Sequence, residues 1–177
     1  DPCVFRLHDG EKMSVTLIVS VYVDDLIVAG DLKSCESLRD YLSKCSPTKN
    51  FGSLSYFLGC EYNRGHKRGT LYVLQKACMN RLVSKFDDTK TSPTPALSSV
   101  ELKPRQQNEP RCTKPYREAV GELPWISNAT RPDISTAVRE VARPSHDLSK
   151  KHWRAVLKVI EYLKGTRTLG ITYKKSP

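Results

Sequence analysis

Two apolar runs separated by a pair of aspartates constrain this chain more than any other stretch. Residues 13–23 and 26–30 are rich in Val, Ile and Leu at odd and even positions alike, with only Asp24-Asp25 between them. Runs apolar at both parities predict strands buried on both faces, and two carboxylates that cannot share that burial predict a reversal of the chain. The reading is a β-hairpin with a carboxylate tip. The same stretch cannot cross a bilayer, because the aspartates interrupt it well short of the roughly 20 apolar residues that a span needs.

The rest of the chain organises around that hairpin. Leu38, Tyr41, Leu42 and Cys45 fall at i, i+3, i+4 and i+7, the stripe of a helix that packs on a sheet. Residues 51–62 and 69–74 predict a second strand pair, with Gly65 and Gly69 bounding the connection. The front is therefore α+β. From Gln75 the spacing becomes helical through Cys78, Met79, Leu82, Val83 and Phe86. Residues 87–115 then hold five of the eleven prolines, which predicts an extended linker. Pro132 and Asp133 suit a helix N-terminus, with Ile134, Ala137, Val138 and Val141 following on one face. A last helix is expected over residues 151–163. Its apolar side is Trp153, Val156, Leu157, Ile160 and Leu163, and its separate basic edge is Lys150, Lys151, Arg154 and Lys158. Residues 171–174 read as a further strand.

Charge divides unevenly. Residues 1–60 carry 6 Lys and Arg against 8 Asp and Glu, whereas residues 61–177 carry 23 against 11. An acidic front with a strongly basic rear fits a carboxylate site coupled to a surface that holds a polyanion, and it equally fits an ordinary solvated surface. The six cysteines stand singly and the four histidines show no ligand spacing, so a structural metal is not expected and the thiols read as reduced.

Asp24-Asp25 leaves two readings open. Aspartates are common at turns and face solvent there. Carboxylates held at the tip of a rigid hairpin also suit nucleotidyl transfer, which needs acidic ligands for two Mg²⁺ ions roughly 4 Å apart.

The run Val21-Tyr22-Val23-Asp24-Asp25-Leu26 resembles the tyrosine-x-aspartate-aspartate motif of reverse transcriptases, in the valine form usual in copia-type retrotransposons. Further matches follow in the family's order: Asp1-Pro2-Cys3-Val4-Phe5, Phe51-Gly52-Ser53-Leu54-Ser55-Tyr56-Phe57-Leu58-Gly59-Cys60-Glu61, Gln75, Phe86 and Thr94-Pro95. Tyr116-Arg117-Glu118-Ala119-Val120-Gly121, Thr130-Arg131-Pro132-Asp133-Ile134, His152-Trp153 and Tyr162-Leu163-Lys164-Gly165-Thr166 complete the series. The resemblance covers nearly the whole chain.

It implies a partial polymerase palm, an antiparallel sheet with a packed helix over residues 1–74, then a helical thumb-like region over 75–165 that includes the linker. Residues 166–177 would begin a connection to a ribonuclease H region. It further implies Asp24 as a direct metal ligand and Asp25 as its less directly coordinating neighbour, with Mg²⁺ as cofactor. Tyr22 would pack near the primer end, and Phe57, Leu58 and Gly59 would form a primer grip. Lys49 would match a lysine that protonates pyrophosphate, while Lys150, Lys151, Arg154 and Lys158 would track the template-primer backbone. Implied partners are an RNA template, a DNA primer and the remaining palm, fingers and ribonuclease H portions of a polyprotein, without a membrane. The implied location is intracellular, in a cytoplasmic particle or the nucleus.

Some of the family's pattern is not met. Its other essential aspartate lies on an earlier palm strand, and only 23 residues precede Asp24. Asp1 and Asp9 are poor substitutes. Pro124 interrupts an apolar helical run at a cost of about 3 kcal/mol, and Pro144 replaces a usual aromatic. The expectation is a polymerase fragment inactive by itself. The alternatives are a non-catalytic nucleic-acid-binding remnant and a retrotransposon relic that does not fold stably.

Overall fold

A computed structural model describes residues 1–10, 14–65, 69–86, 90–96, 102–144 and 146–175. The chain divides into two units, Asp1–Leu54 and Ser55–Pro177.

The first unit is a three-stranded antiparallel sheet with one helix. Strands β1 (Val4–His8), β2 (Val15–Tyr22) and β3 (Asp25–Gly30) lie in that order, and α1 (Leu32–Cys45) follows. The Asp31 carboxylate caps α1 by accepting from the Ser34 amide at 2.9 Å and its hydroxyl at 2.7 Å. Gly30 is required where it stands, since a Cβ there would lie 2.3 Å from the Thr16 carbonyl oxygen.

Two expectations are corrected here. The strands are not buried on both faces: Leu17 is the single buried hydrophobic residue among the described residues of this unit, while Phe5, Leu7, Val15, Ile18, Leu26 and Val28 are exposed. A sheet apolar at both parities needs cover on two sides, and within the unit one helix supplies little. In α1 itself Leu38 and Leu42 are half-buried, but Tyr41 and Cys45 face solvent. Met13 lies outside the described residues.

The second unit joins a four-stranded antiparallel sheet to a helical core. Its elements are β4 (Tyr56–Phe57), β5 (Cys60–Gly65), β6 (Thr70–Leu74), α2 (Lys76–Phe86), α3 (Tyr116–Ala129), α4 (Ser135–Ala142), α5 (Lys150–Gly165) and β7 (Ile171–Lys174). The sheet order is β4-β5-β6-β7. The expected strand over 51–62 is instead a loop, two residues of β4, a tight turn and the start of β5. The helical stripes pack as read: Cys78, Met79, Leu82, Val83 and Phe86 are all buried, as are Ile134, Ala137, Val138 and Val141. On α5, Val156, Ile160 and Leu163 are buried with Ala155 and Val159, whereas Trp153 and Leu157 sit at the margin.

The unit boundaries differ from the expected ones. The second sheet groups with the helices from Ser55 onward rather than with the hairpin sheet, and β7 pairs with β6. The described part of the linker forms no helix or named strand but is tied down. Arg105 Nε donates to Asp147 at 2.8 Å and its Nη1 to the Glu109 carbonyl at 2.7 Å, while the Cys112 amide donates to the Leu148 carbonyl at 2.7 Å. Helix α3 continues past Pro124 in its interior. No described helix is long and apolar enough to cross a membrane.

Candidate active site

The carboxylate tip is a two-residue hairpin loop. Tyr22 pairs with Asp25 across the strands, which leaves Val23 and Asp24 as the loop. Val23 takes φ +56°, a left-handed conformation that glycine favours and a β-branched residue resists, at a cost of roughly 1–3 kcal/mol. A positive φ at the first loop position is the twist that joins antiparallel strands tightly. Asp24 therefore sits on the reversal and Asp25 on the first residue of β3, both exposed, with Tyr22 and Val23 exposed beside them. Among the described residues, no hydrogen bond or ion pair engages either carboxylate.

Other acids lie elsewhere. Asp1 enters β1 at the same end of the sheet, where the Val21 amide donates to the Cys3 carbonyl, but its carboxylate accepts from the Cys3 amide at 2.9 Å in its own turn. Asp9 closes the opposite end, its amide donating to the Ser14 carbonyl. Among the described residues no three His, Cys, Asp or Glu gather to hold a metal. The donor chemistry of Asp24 and Asp25, hard oxygens in the open with no cation paired to them among the described residues, fits Mg²⁺. They would supply part of its coordination and leave the rest to other groups.

A second strained turn carries Phe57, Leu58 and Gly59. Phe57 pairs with Cys60, and Leu58 and Gly59 both have positive φ, +47° and +76°. That is a two-residue reversal with glycine at one loop position and a leucine in the place usually held by Asn, Asp or Gly. All three residues are half-buried. A Cβ on Gly59 would stand 3.7 Å from the indole nitrogen of Trp125, so this turn and α3 meet. Trp125 is 47% exposed and was missed in the sequence. Its signal was available: it lies off the stripe formed by Ala119, Leu123 and Ile126 in an otherwise apolar run. Ion pairs from Arg81 to Glu122 at 3.2 Å and Lys85 to Glu118 at 2.6 Å hold α2 against α3 nearby.

The basic edge of α5 is partly committed within the fold. Lys151 pairs with Glu109, and Arg154 pairs with Glu161, its Nη2 at 3.2 Å from Oε2. Lys150 is exposed and Lys158 half-buried. Lys49 lies in the first unit with its ammonium 5.0 Å from the centre of the exposed Phe51 ring. No described contact joins it to Asp24 or Asp25.

The sequence also gave no sign of a buried polar network in the second unit. Arg131 is 1% exposed and its guanidinium donates to both Asp133 carboxylate oxygens at 2.9 and 2.8 Å, to the Thr166 carbonyl at 2.9 Å and to the Thr166 hydroxyl at 2.7 Å. Tyr162 donates to Asp133 at 2.9 Å. Burial alone would raise the Asp133 pKa, but the hydrogen bonds from Arg131 and Tyr162 outweigh it and hold the carboxyl below its ordinary value. Two motifs distant in sequence, residues 130–134 and 162–166, are thus one physical unit. At the start of α3, burial pushes the Tyr116 phenol up to about 12, and its hydroxyl donates to the Val141 carbonyl at 2.6 Å.

A family model described as reverse transcriptase (RNA-dependent DNA polymerase) matches residues 3–98. Among curated relatives, the Pol polyprotein from transposon TNT 1-94 of Nicotiana tabacum is 30% identical over 94% of this chain and 13% of its own length. The Pol polyproteins from transposons RE1 and RE2 of Arabidopsis thaliana are 33% and 32% identical over 99% of this chain and 12% of their own. The chain spans about an eighth of the length of these relatives. No solved structure matches it. With a matching model over more than half its residues and retrotransposon Pol relatives along nearly all of them, the chain belongs to the reverse transcriptase family, in its copia-type retrotransposon branch.

Proposed function

We propose that the chain contributes the metal-binding hairpin and the primer-holding turn of an RNA-directed DNA polymerase, and that it does not polymerise by itself. The observation that carries this is the strained loop at Val23, which presents the exposed carboxylates of Asp24 and Asp25 within the stretch that the family model covers. Backbone strain persists where surrounding structure over-determines it, and it concentrates at functional sites.

In this reading Asp24 and Asp25 hold Mg²⁺, which when bound polarises the primer hydroxyl and steadies the departing pyrophosphate. Tyr22 lies against the primer end. The Leu58-Gly59 turn approaches the primer backbone, where glycine leaves room for a phosphate. Lys150 and Lys158 carry the α5 share of backbone contact, with Lys151 and Arg154 contributing less because Glu109 and Glu161 already engage them. Lys49 remains a candidate proton donor to pyrophosphate. The fingers, the remaining palm and the ribonuclease H portion would come from the rest of a polyprotein, and the exposed apolar sheet of the first unit supports such a missing partner.

The test is primer extension with Mg²⁺. The chain alone is expected to give none, while the intact polyprotein should lose at least about a thousandfold in rate when Asp24 becomes Asn, the scale of removing a principal transition-state stabiliser. Extension by the chain alone would refute its incompleteness, and an active Asp24→Asn polyprotein would refute the site.

A further inference from the structure

The four-stranded sheet of the second unit carries, at one end, a cationic face that holds an exposed tyrosine and no acid. Cross-strand pairing sets Arg64 opposite Leu71 and Leu71 opposite Tyr173, so the three side chains share one face in a single row. Alternation places Tyr62 and Ile171 one row away on that face. Beyond Tyr173 the chain stays attached, the Lys175 amide donating to the Gly69 carbonyl at 2.9 Å, which returns Lys175 to the same side.

Exposure rises along the face. Cys60 and Val73 are buried at one end, Tyr62 and Ile171 are half-buried, and Arg64, Lys175 and Tyr173, the last 58% exposed, are open at the other. The one carboxylate in the described strands of this sheet, Glu61, has the opposite parity and lies on the other face. Among the described residues neither Arg64 nor Lys175 forms an ion pair or a side-chain hydrogen bond. This contrasts with α5, where two of four cations are already neutralised.

We propose that this face binds single-stranded nucleic acid, with Tyr173 stacking on an unpaired base and Arg64 and Lys175 contacting phosphates. The assignment rests on the nucleic-acid function proposed above and adds a surface remote in sequence from the hairpin. Strands spaced about 4.8 Å apart put Arg64 and Tyr173 roughly 10 Å apart, room for a backbone on the cation while its base lies on the ring. An aromatic ring standing on a flat sheet needs a free base face, which a duplex hides inside its stack. Two unneutralised cations would give a duplex little purchase, but they suffice to orient a strand held by stacking.

The test is fluorescence anisotropy with the full chain, using a labelled mixed-sequence single strand and the same sequence as a duplex. Tyr173→Ala is expected to weaken single-strand binding about tenfold, with Tyr173→Phe restoring it and duplex binding changed less than about twofold. The double variant Arg64→Gln, Lys175→Gln should lower the slope of log affinity against log salt by about 1.4, two contacts at about 0.7 each. All three substitutions are at exposed positions, and an unchanged thermal transition checks that the fold is kept. Variants that bind like the parent, or that lose single strand and duplex equally, overturn this proposal alone. A parent chain that binds neither probe overturns the proposed function with it.

Discussion

Arg131 directs its guanidinium at five acceptors, the two oxygens of Asp133, the carbonyl and hydroxyl of Thr166, and the sulfur of Met79 at 3.6 Å, from a position almost closed to solvent. Truncating it leaves those acceptors without their donor, so Arg131→Met should destabilise the second unit by about 3 kcal/mol in chemical denaturation, far beyond a surface change. Lysine cannot reproduce the fork and should rescue little. A second residue gives the fold a pH response. His152 accepts from the Ser149 amide through Nδ1 at 3.0 Å, closing a capping box at the start of α5, and burial lowers its pKa below 6.5. The unfolded chain therefore takes up a proton that the folded chain refuses once the pH drops below 6.5. This contribution is full above that value and shrinks, by up to about 1.4 kcal/mol per pH unit, as the pH falls to the folded pKa. His152→Gln keeps a side chain suited to the capping box, and its denaturation midpoint should vary less than the parent's between pH 6.5 and 5.

Helix α3 carries a proline in its interior, where no amide can reach back to the carbonyl of Val120. Pro124→Ala should raise stability by up to about 3 kcal/mol, measured as a shift in denaturant midpoint at unchanged slope. At the join between α5 and β7, a Cβ on Gly170 would stand 2.2 Å from the Val73 carbonyl oxygen and 3.0 Å from Leu74, backbone and core that cannot retreat. Gly170→Ala should cost about 2 kcal/mol or more by the same measurement. At this scale the sequence was most legible where periodicity alone decides. All five apolar positions expected on α2 are buried, and the stripe from Ile134 to Val141 packs as spaced. The same reading failed where contact partners decide. Leu58 occupies a loop position that usually announces itself by Asn or Gly, which hid the turn and merged β4 with β5. Nothing in the sequence marks Arg131 as buried, because its partner Thr166 is brought to it only once α5 has folded back. The apolar parity of β2 was present as read, but parity reports what a strand can bury and not what is there to cover it. The hairpin was legible as a reversal between two apolar runs, but the loop falls one residue earlier than Asp24-Asp25, on Val23 and Asp24, because no residue type signals a positive φ at valine.

The two units differ in how much they bury. The first holds one buried hydrophobic residue among those described, whereas the second has a continuous core from α2 through α5. Hydrogen exchange should separate them, with amides of β1, β2 and β3 exchanging near the rate of local opening and those of α2, α3 and α5 protected toward the global limit. Equal protection in both would refute the contrast. The pairing of β7 with β6 has a consequence for synthesis. Residues 70–74 leave the ribosome before their sheet neighbour, Ile171–Lys174, with four helices translated in between. At roughly 5–20 residues per second, the edge of β6 stays open for several seconds in every newly made chain. Ribosomes that stall before residue 171 would release a molecule with helices in place and an unpaired strand, a form prone to edge-to-edge association and an early target for degradation.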